Sequence, residues 1–338
     1  MCGPAAPSAP GRPLAAVPAL GPTQLPQPPR GSILARLLPL AIACAPVLGA
    51  DVYVDASANC GLATGSPARP LCTISEGLAA AGPSDAVLVR PGTYPETLLV
   101  ARDARIVGIG GAASTVIDGG GAGSVITNQG ARLELQGLTI EGGLASSGGG
   151  VQSMQGDLEM RGCVVTANTA SGDAQLRGAG GLRVQGGRVL LDEVVFLDNE
   201  SLSAPGAAGF AGGLLVDGAT EVTIRRCTFE GNLAWQIAAA SITDSGPTTI
   251  EGTTFEDNET VSACDPTILL RTNQSFALRN CTFARGRFGE GLVISVSGAQ
   301  SGTIEHCTVD GLCAIPLTIR AEAGSSGAVE VSNSVFAG

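Results

Sequence analysis

The sequence contains no lysine: all 19 basic residues among its 338 are arginine, which excludes any chemistry that needs a lysine base or nucleophile. Histidine occurs once, at His306, and no Cys-x-x-Cys or Cys/His spacing suggests zinc, so no metal and no cofactor is expected. Aromatic residues make up only 3% and charged residues 14%, while glycine reaches 49, numbers that suit a β-rich repeat better than a compact helical enzyme. Positive charge is in deficit overall. A formal net charge of −11 works against nucleic acid or an anionic membrane as partner, because both would be repelled, and leaves basic partners or neutral glycans open. No apolar run reaches the roughly 20 residues of a membrane-spanning helix.

The first fifty residues differ from the rest. "MCGPAAPSAPGRPLAAVPALGPTQLPQPPR" is rich in Pro and Ala without an apolar period and reads as an unstructured tail. After Arg30 and Arg36, "LLPLAIACAPVLGA" has the length and small-residue ending of a secretory signal, with cleavage expected after Ala50 and a lipoprotein site at Cys44 as the alternative. Residues 1–50 are therefore assigned to tail and leader, and the protein is expected outside the cell or on its outer surface.

From Ile140 onward one pattern recurs eight times. With the apolar residue of "CTF" as position zero, the column reads Ile140, Val165, Phe196, Phe229, Phe255, Phe283, Val309 and Phe336, at intervals of 25 to 33 residues. Five residues earlier every copy is apolar, including Ile224, Ile250, Leu278 and Ile304; positions −7 and −2 are mostly apolar or small. Positions −7 and −5 share one strand face, as do −2 and zero, but the step of three between −5 and −2 breaks the period of two and requires a bend at −3. Gly and Asn, which tolerate positive φ, fill five of the eight places there: Gly137, Gly162, Gly252, Asn280 and Asn333. A second bend is expected at +3, where Asn168, Asn199, Asn232 and Asn258 recur as a turn ladder able to hydrogen-bond along the stack and to accept a left-handed conformation. Gly-Gly before an apolar residue, ending at Val151, Leu182 and Leu214, marks a third strand.

Each repeat is thus three short strands joined by bends, and no repeat can bury its own apolar face; stacked coils can. Same-column residues then lie one above the other at about 4.8 Å. Position −1 is β-branched in all eight copies, as an exposed strand prefers. Position −4 alternates in sign through Arg161, Asp192, Arg225, Glu251, Arg279 and Glu305, which reads as a surface ion-pair ladder that penalises a one-coil slip.

The inward columns, the Phe-x-x-Asn motifs "FLDN", "FEGN" and "FEDN" and the Gly-Gly-apolar motifs resemble right-handed parallel β-helix proteins of the pectin-lyase-like superfamily, in particular those with repeats of the polymorphic outer-membrane-protein type. Upstream, "DVYVDASANCG", "PLCTISEGLAAAGPSDAVLVRPGTYPE" and "STVIDGGG" resemble the N-terminal segment of secreted β-helix proteins, so the resemblance covers residues 51–338. It implies an all-β fold of three-strand coils over residues 85–338, closed by an N-terminal cap over 51–84. Thr73 and Glu76 have capping-box spacing, and "ISEGLAAA" is expected to form the short lid helix. The sequence ends in mid-repeat at "SNSVFAG", which predicts an edge completed by further sequence or by a partner.

Of the ten cysteines, Cys60 and Cys72 flank the loop "GLATGSPARPL", and in an exported chain a loop-closing disulfide is expected there, with two free thiols as the alternative. Cys163, Cys227, Cys281 and Cys307 fall in the −2 column and read as buried free thiols. Cys264 and Cys313 lie outside the columns, either as a pair or as free thiols.

The resemblance implies that lyases on this fold use Arg or Lys as base beside a calcium site of carboxylates. Arg225 and Arg226 beside Glu251, or Glu256 and Asp257 beside Arg285, imitate such a site, although the charge ladder already accounts for the first group. Hydrolases of the superfamily cluster aspartates beside a Gly-His-Gly; here His306 stands alone in the bend column and the aspartates are scattered. Asp257 in "FEDNE" is a turn calcium ligand or, more simply, a solvated corner. Trp235 and Phe210 fall near coil corners, where an aromatic stacks on a sugar or packs under a loop. A flat threonine face of the ice-binding kind is disfavoured, because Glu141, Leu197, Glu230 and Glu256 occupy the +1 column. The favoured reading is a secreted or surface-exposed β-helix without catalytic machinery, an adhesin-like binding or structural module whose partner is a glycan or another surface protein. The alternative is a polysaccharide lyase or glycoside hydrolase with a groove built by the insertions "ASGDAQLRGAG" and "NESLSAPGAAGFA".

Overall fold

The computed structural model describes residues 50–171, 178–202, 209–261, 266–286, 290–298, 300–310, 316–321 and 324–337. Within them the chain winds through three parallel sheets in strict sequence order, so every strand pairs with its equivalents one coil before and one coil after. The first sheet has eleven strands, from Val52–Val54 through Glu221–Arg225 to Val329–Ser332, and carries positions −7 to −4. The second has ten, from Gly92–Pro95 to Val335–Phe336, and the third nine, from Leu98–Val100 to Leu317–Ala321. Their register aligns the sequence columns: Ile224 pairs with Ile250, Ile250 with Leu278 and Leu278 with Ile304. The fold is a right-handed parallel β-helix, its hand being that of nearly all parallel crossovers.

Between the second and third sheets lies an element the three-strand scheme lacks, a fourth sheet of two-residue strands: Leu144–Ala145, Thr169–Ala170, Glu200–Ser201, Leu233–Ala234 and Glu259–Thr260. Two-residue strands are too short to show a periodicity of their own, so only register reveals them.

The core runs along the axis. Positions −7, −5, −2 and zero are buried through the central coils, and the rings of Phe196, Phe229, Phe255 and Phe283 stack nearly parallel at 4.6, 4.8 and 5.0 Å between centroids. In-register coils impose that separation and leave little room for the edge-to-face packing aromatics otherwise favour. The bend at −3 is left-handed in all eight copies, including Glu193, Arg226 and His306, whose φ values are 56°, 52° and 53°. Geometry therefore overrides residue preference at those three positions.

The second bend differs from expectation by one residue. The left-handed residue is at +2, where Ala167, Asp198 and Asp257 have φ of 52°, and the asparagine at +3 turns inward instead. Asn168, Asn199, Asn232 and Asn258 are buried, and each Nδ2 of the first three donates to the next Oδ1 at 3.1, 3.0 and 2.9 Å. Each of those three amides also donates to the carbonyl of position zero one coil back, at 3.0, 2.8 and 2.9 Å to Ile140, Val165 and Phe196. A buried amide satisfies all its hydrogen-bonding groups this way, which a left-handed surface position would not require.

At the N-terminal end the helix Ile74–Ala80 packs on Val54 and Val87, with the Thr73/Glu76 capping box formed and the Glu96 carboxylate accepting from the N–H groups of Ile74 and Ser75 at 2.7 and 3.0 Å. The preceding strand Val52–Val54 belongs to the first sheet, so the region expected as cap contributes a strand to the solenoid as well as a lid. Cys60 and Cys72 are joined by a disulfide. Cys163, Cys227, Cys281 and Cys307 are free and buried, while Cys44, Cys264 and Cys313 lie outside the described residues.

Candidate functional site

The outer face of the first sheet concentrates the charge. Register places Arg161, Asp192 and Arg225 on consecutive coils, and the bend residue Arg226 lies beside them. Asp192 is the hub: its Oδ2 accepts from Arg161 Nη1 at 3.1 Å and Arg225 Nη2 at 2.8 Å, and its Oδ1 is paired with Arg226. Its side chain is only 7% exposed, against 38–54% for the three guanidinium partners. Arg226 also reaches Glu193 at 3.0 Å, and Arg161 reaches Glu159 at 2.6 Å. The Glu159 hydrogen bond, ahead of the Coulomb attraction of Glu159 and Asp192, raises the pKa of Arg161 and holds it protonated.

The alternating ladder expected at position −4 is therefore only partly built. Arg225 turns toward Asp192 rather than Glu251, which takes no ion pair among the described residues; pairing resumes with Arg279 and Glu305 at 3.2 Å. The reason is the doubled arginine: Arg225 and Arg226 both converge on one sheltered carboxylate and leave the next coil's acid aside. Asp192 read from sequence as one rung among six. The available signal was the 33-residue interval that sets it beside an Arg-Arg pair.

The other candidates separate. Arg285 pairs with Glu256 and with Asp257, the latter at 3.2 Å, in an exposed corner cluster. His306 is a left-handed bend residue whose N–H donates to the Ser332 carbonyl at 3.2 Å. Asp198, also left-handed, lies so close to Gly231 that a Cβ there would sit 2.3 Å from its Oδ1. Among the described residues no three His, Cys, Asp or Glu side chains come together as a metal site. Phe210 packs with Ala179, Ala211 and Leu215 beneath a corner, and Trp235 lies half-buried on the fourth sheet's edge. The insertions proposed as groove walls include residues 172–177 and 203–208, which lie outside the described residues.

Residues 178–336 match the family model described as right handed beta helix region. Among solved structures it is similar to pectate lyase Pel9A, at 13% identity and a TM-score of 0.41 over 85% of this chain and 78% of that one. It is also similar to a rhamnogalacturonan lyase, at 10% identity and a TM-score of 0.41 over 84% and 87% of the two chains. No curated protein matches the sequence. Likeness at this distance transfers no activity, because one fold hosts many functions. Among the described residues no helix is long and apolar enough to cross a membrane.

Proposed function

We propose that the chain is an exported β-helix that works as a rigid binding module of the adhesin-repeat type, without turnover of its own, with residues 1–50 as the part removed or used for anchoring. The supporting observation is the state of its arginines. Arg225, Arg226 and Arg285, the residues placed as candidate bases, are each held by carboxylates, and Arg161 beside them is stabilised in its protonated form. A guanidinium acting as base must first lose a proton, and the contacts of Arg161 oppose that loss, while Arg225, Arg226 and Arg285 are engaged as partners of carboxylates. The same ion pairs lock neighbouring coils together, a role that needs no substrate.

Incubation of the purified protein with a panel of neutral and acidic polysaccharides, with and without calcium, tests the reading. Binding without new reducing ends or unsaturated products is expected. Turnover abolished by Arg225→Ala or Asp198→Ala would establish the carbohydrate-active enzyme in its place.

A further inference from the structure

The outer face of the fourth sheet carries an apolar ridge that the fold itself does not use. The four residues that follow and include the ladder asparagines read "NESL", "NLAW" and "NETV" in three consecutive coils. Register pairs Glu200 with Leu233 and Leu233 with Glu259, and the inward neighbours Ser201, Ala234 and Thr260 are buried. One residue further the Trp235 N–H donates to the Ser201 carbonyl at 3.2 Å and the Val261 N–H to the Ala234 carbonyl at 2.9 Å, so the ladder continues and Leu202, Trp235 and Val261 form one outward column. Leu202 is 36% exposed, Val261 47% exposed, and Trp235, the protein's sole tryptophan, is half-buried between them. Two inter-strand steps make the ridge about 10 Å long. In the adjacent outward column Leu233 is flanked by the carboxylates of Glu200 and Glu259, neither of which takes an ion pair among the described residues.

We propose that this ridge binds a neutral glycan chain, laid along the solenoid axis with the apolar face of a sugar ring on Trp235 and its hydroxyl groups donating to Glu200 and Glu259. The chemistry selects that class. An indole between two aliphatic side chains offers a flat apolar platform whose N–H stays available, and ionised carboxylates accept but do not donate. Hydroxyl groups satisfy them, whereas a uronate would be repelled both there and by the chain's net charge of −11. A protein segment would need a larger buried patch than three side chains supply. The inference deepens the binding-module reading and rests on it.

Because Trp235 is unique, its fluorescence reports on the ridge alone. Titration of the full chain with neutral oligosaccharides (cello-, xylo-, manno- and malto-series) is expected to blue-shift the emission and protect it from acrylamide for at least one series, with oligogalacturonate inactive. Calorimetry with the responding series is expected to show affinity about tenfold or more weaker for Trp235→Ala and several-fold weaker for Glu200→Gln and Glu259→Gln, with Trp235→Phe intermediate and folding confirming each variant's integrity. No fluorescence response to any neutral series, or an affinity untouched by Trp235→Ala, overturns the ridge while leaving a binding module that uses another face. Cleavage products from the unmodified protein overturn the module reading whether or not the ridge binds.

Discussion

Asn199→Ala tests the claim that the asparagine stack is a buried, fully satisfied hydrogen-bond chain. Asn199 Nδ2 donates to Asn232 Oδ1 at 3.0 Å and to the Val165 carbonyl at 2.8 Å, and its Oδ1 accepts from the Asn168 backbone N–H at 3.3 Å and from Asn168 Nδ2 at 3.1 Å. Truncation leaves two buried donors without partners, the Asn168 N–H and one Asn168 amide hydrogen, and takes from the Val165 carbonyl the partner it has besides the strand ladder. Asn232 Oδ1 keeps its bond from the Asn199 N–H at 3.1 Å. At roughly 1–3 kcal/mol per orphaned group, offset in part by water entering the space, the loss comes to about 2–4 kcal/mol. Urea unfolding followed by circular dichroism measures it as a lowered midpoint at unchanged slope. Asn199→Asp sharpens the test. The carboxylate keeps the two acceptances but faces Asn232 Oδ1 and the Val165 carbonyl with no hydrogen to give, so at neutral pH it is expected to cost more than alanine. Its burial raises the pKa, and acidification restores a donor and part of the stability. A loss below about 1 kcal/mol for Asn199→Ala, or an aspartate milder than alanine at neutral pH, would refute the buried chain.

Ala167→Gly reverses the usual sign: Ala167 is exposed with φ of 52°, and relief of left-handed strain outweighs glycine's added chain entropy, so a gain of about 0.5–1 kcal/mol is expected in the same assay. Asp192→Asn is expected to cost about 1–3 kcal/mol, less than for a fully buried pair because its three arginine partners remain half-solvated, and the difference from the parent should shrink in 1 M salt. Burial pushes the thiols of Cys163 and Cys227 up to about 11 and about 12 from the ordinary thiol value of 9.0. The folded state then holds protons that the unfolded chain releases, so stability is intact below pH 9.0 and falls by about 1.4 kcal/mol per pH unit per thiol from there up to each folded value, about 11 for Cys163 and about 12 for Cys227. Removing both thiols in a Cys163→Ala, Cys227→Ala double variant should flatten that alkaline slope. Replacing Cys60 and Cys72, which close a loop of sequence separation 12, by serine should lower the cap's unfolding midpoint, with a loss of about 3 kcal/mol measured by hydrogen exchange of the helix Ile74–Ala80.

Much of the solenoid was legible because each coil repeats the same physical problem. The apolar residues at −5 and zero recur because every coil must present a buried surface to the next, and the break in period between −5 and −2 records a bend that all eight copies make left-handed. Ten similar residues at 223–232 and 249–258 therefore fixed strand identity, face and spacing without reference to any distant contact. The asparagines were visible as a column, but their role was not. Whether the left-handed residue is Asn258 or Asp257 depends on which side chain finds partners inside, and those partners are carbonyls and amides of the neighbouring coils.

Sequence by itself thus determined the architecture: coil length, the inward columns, the capping box and the free thiols of one column all follow from local pattern. Tertiary structure alone decided the sites. Arg225 had an acid on either side in its column and only packing chose Asp192, because a half-exposed guanidinium gains most from the carboxylate that water reaches least. Trp235 likewise stood in the chain as an isolated aromatic, and became part of a ridge only when register set Leu202 and Val261 beside it, at a spacing that belongs to the sheet and not to the segment.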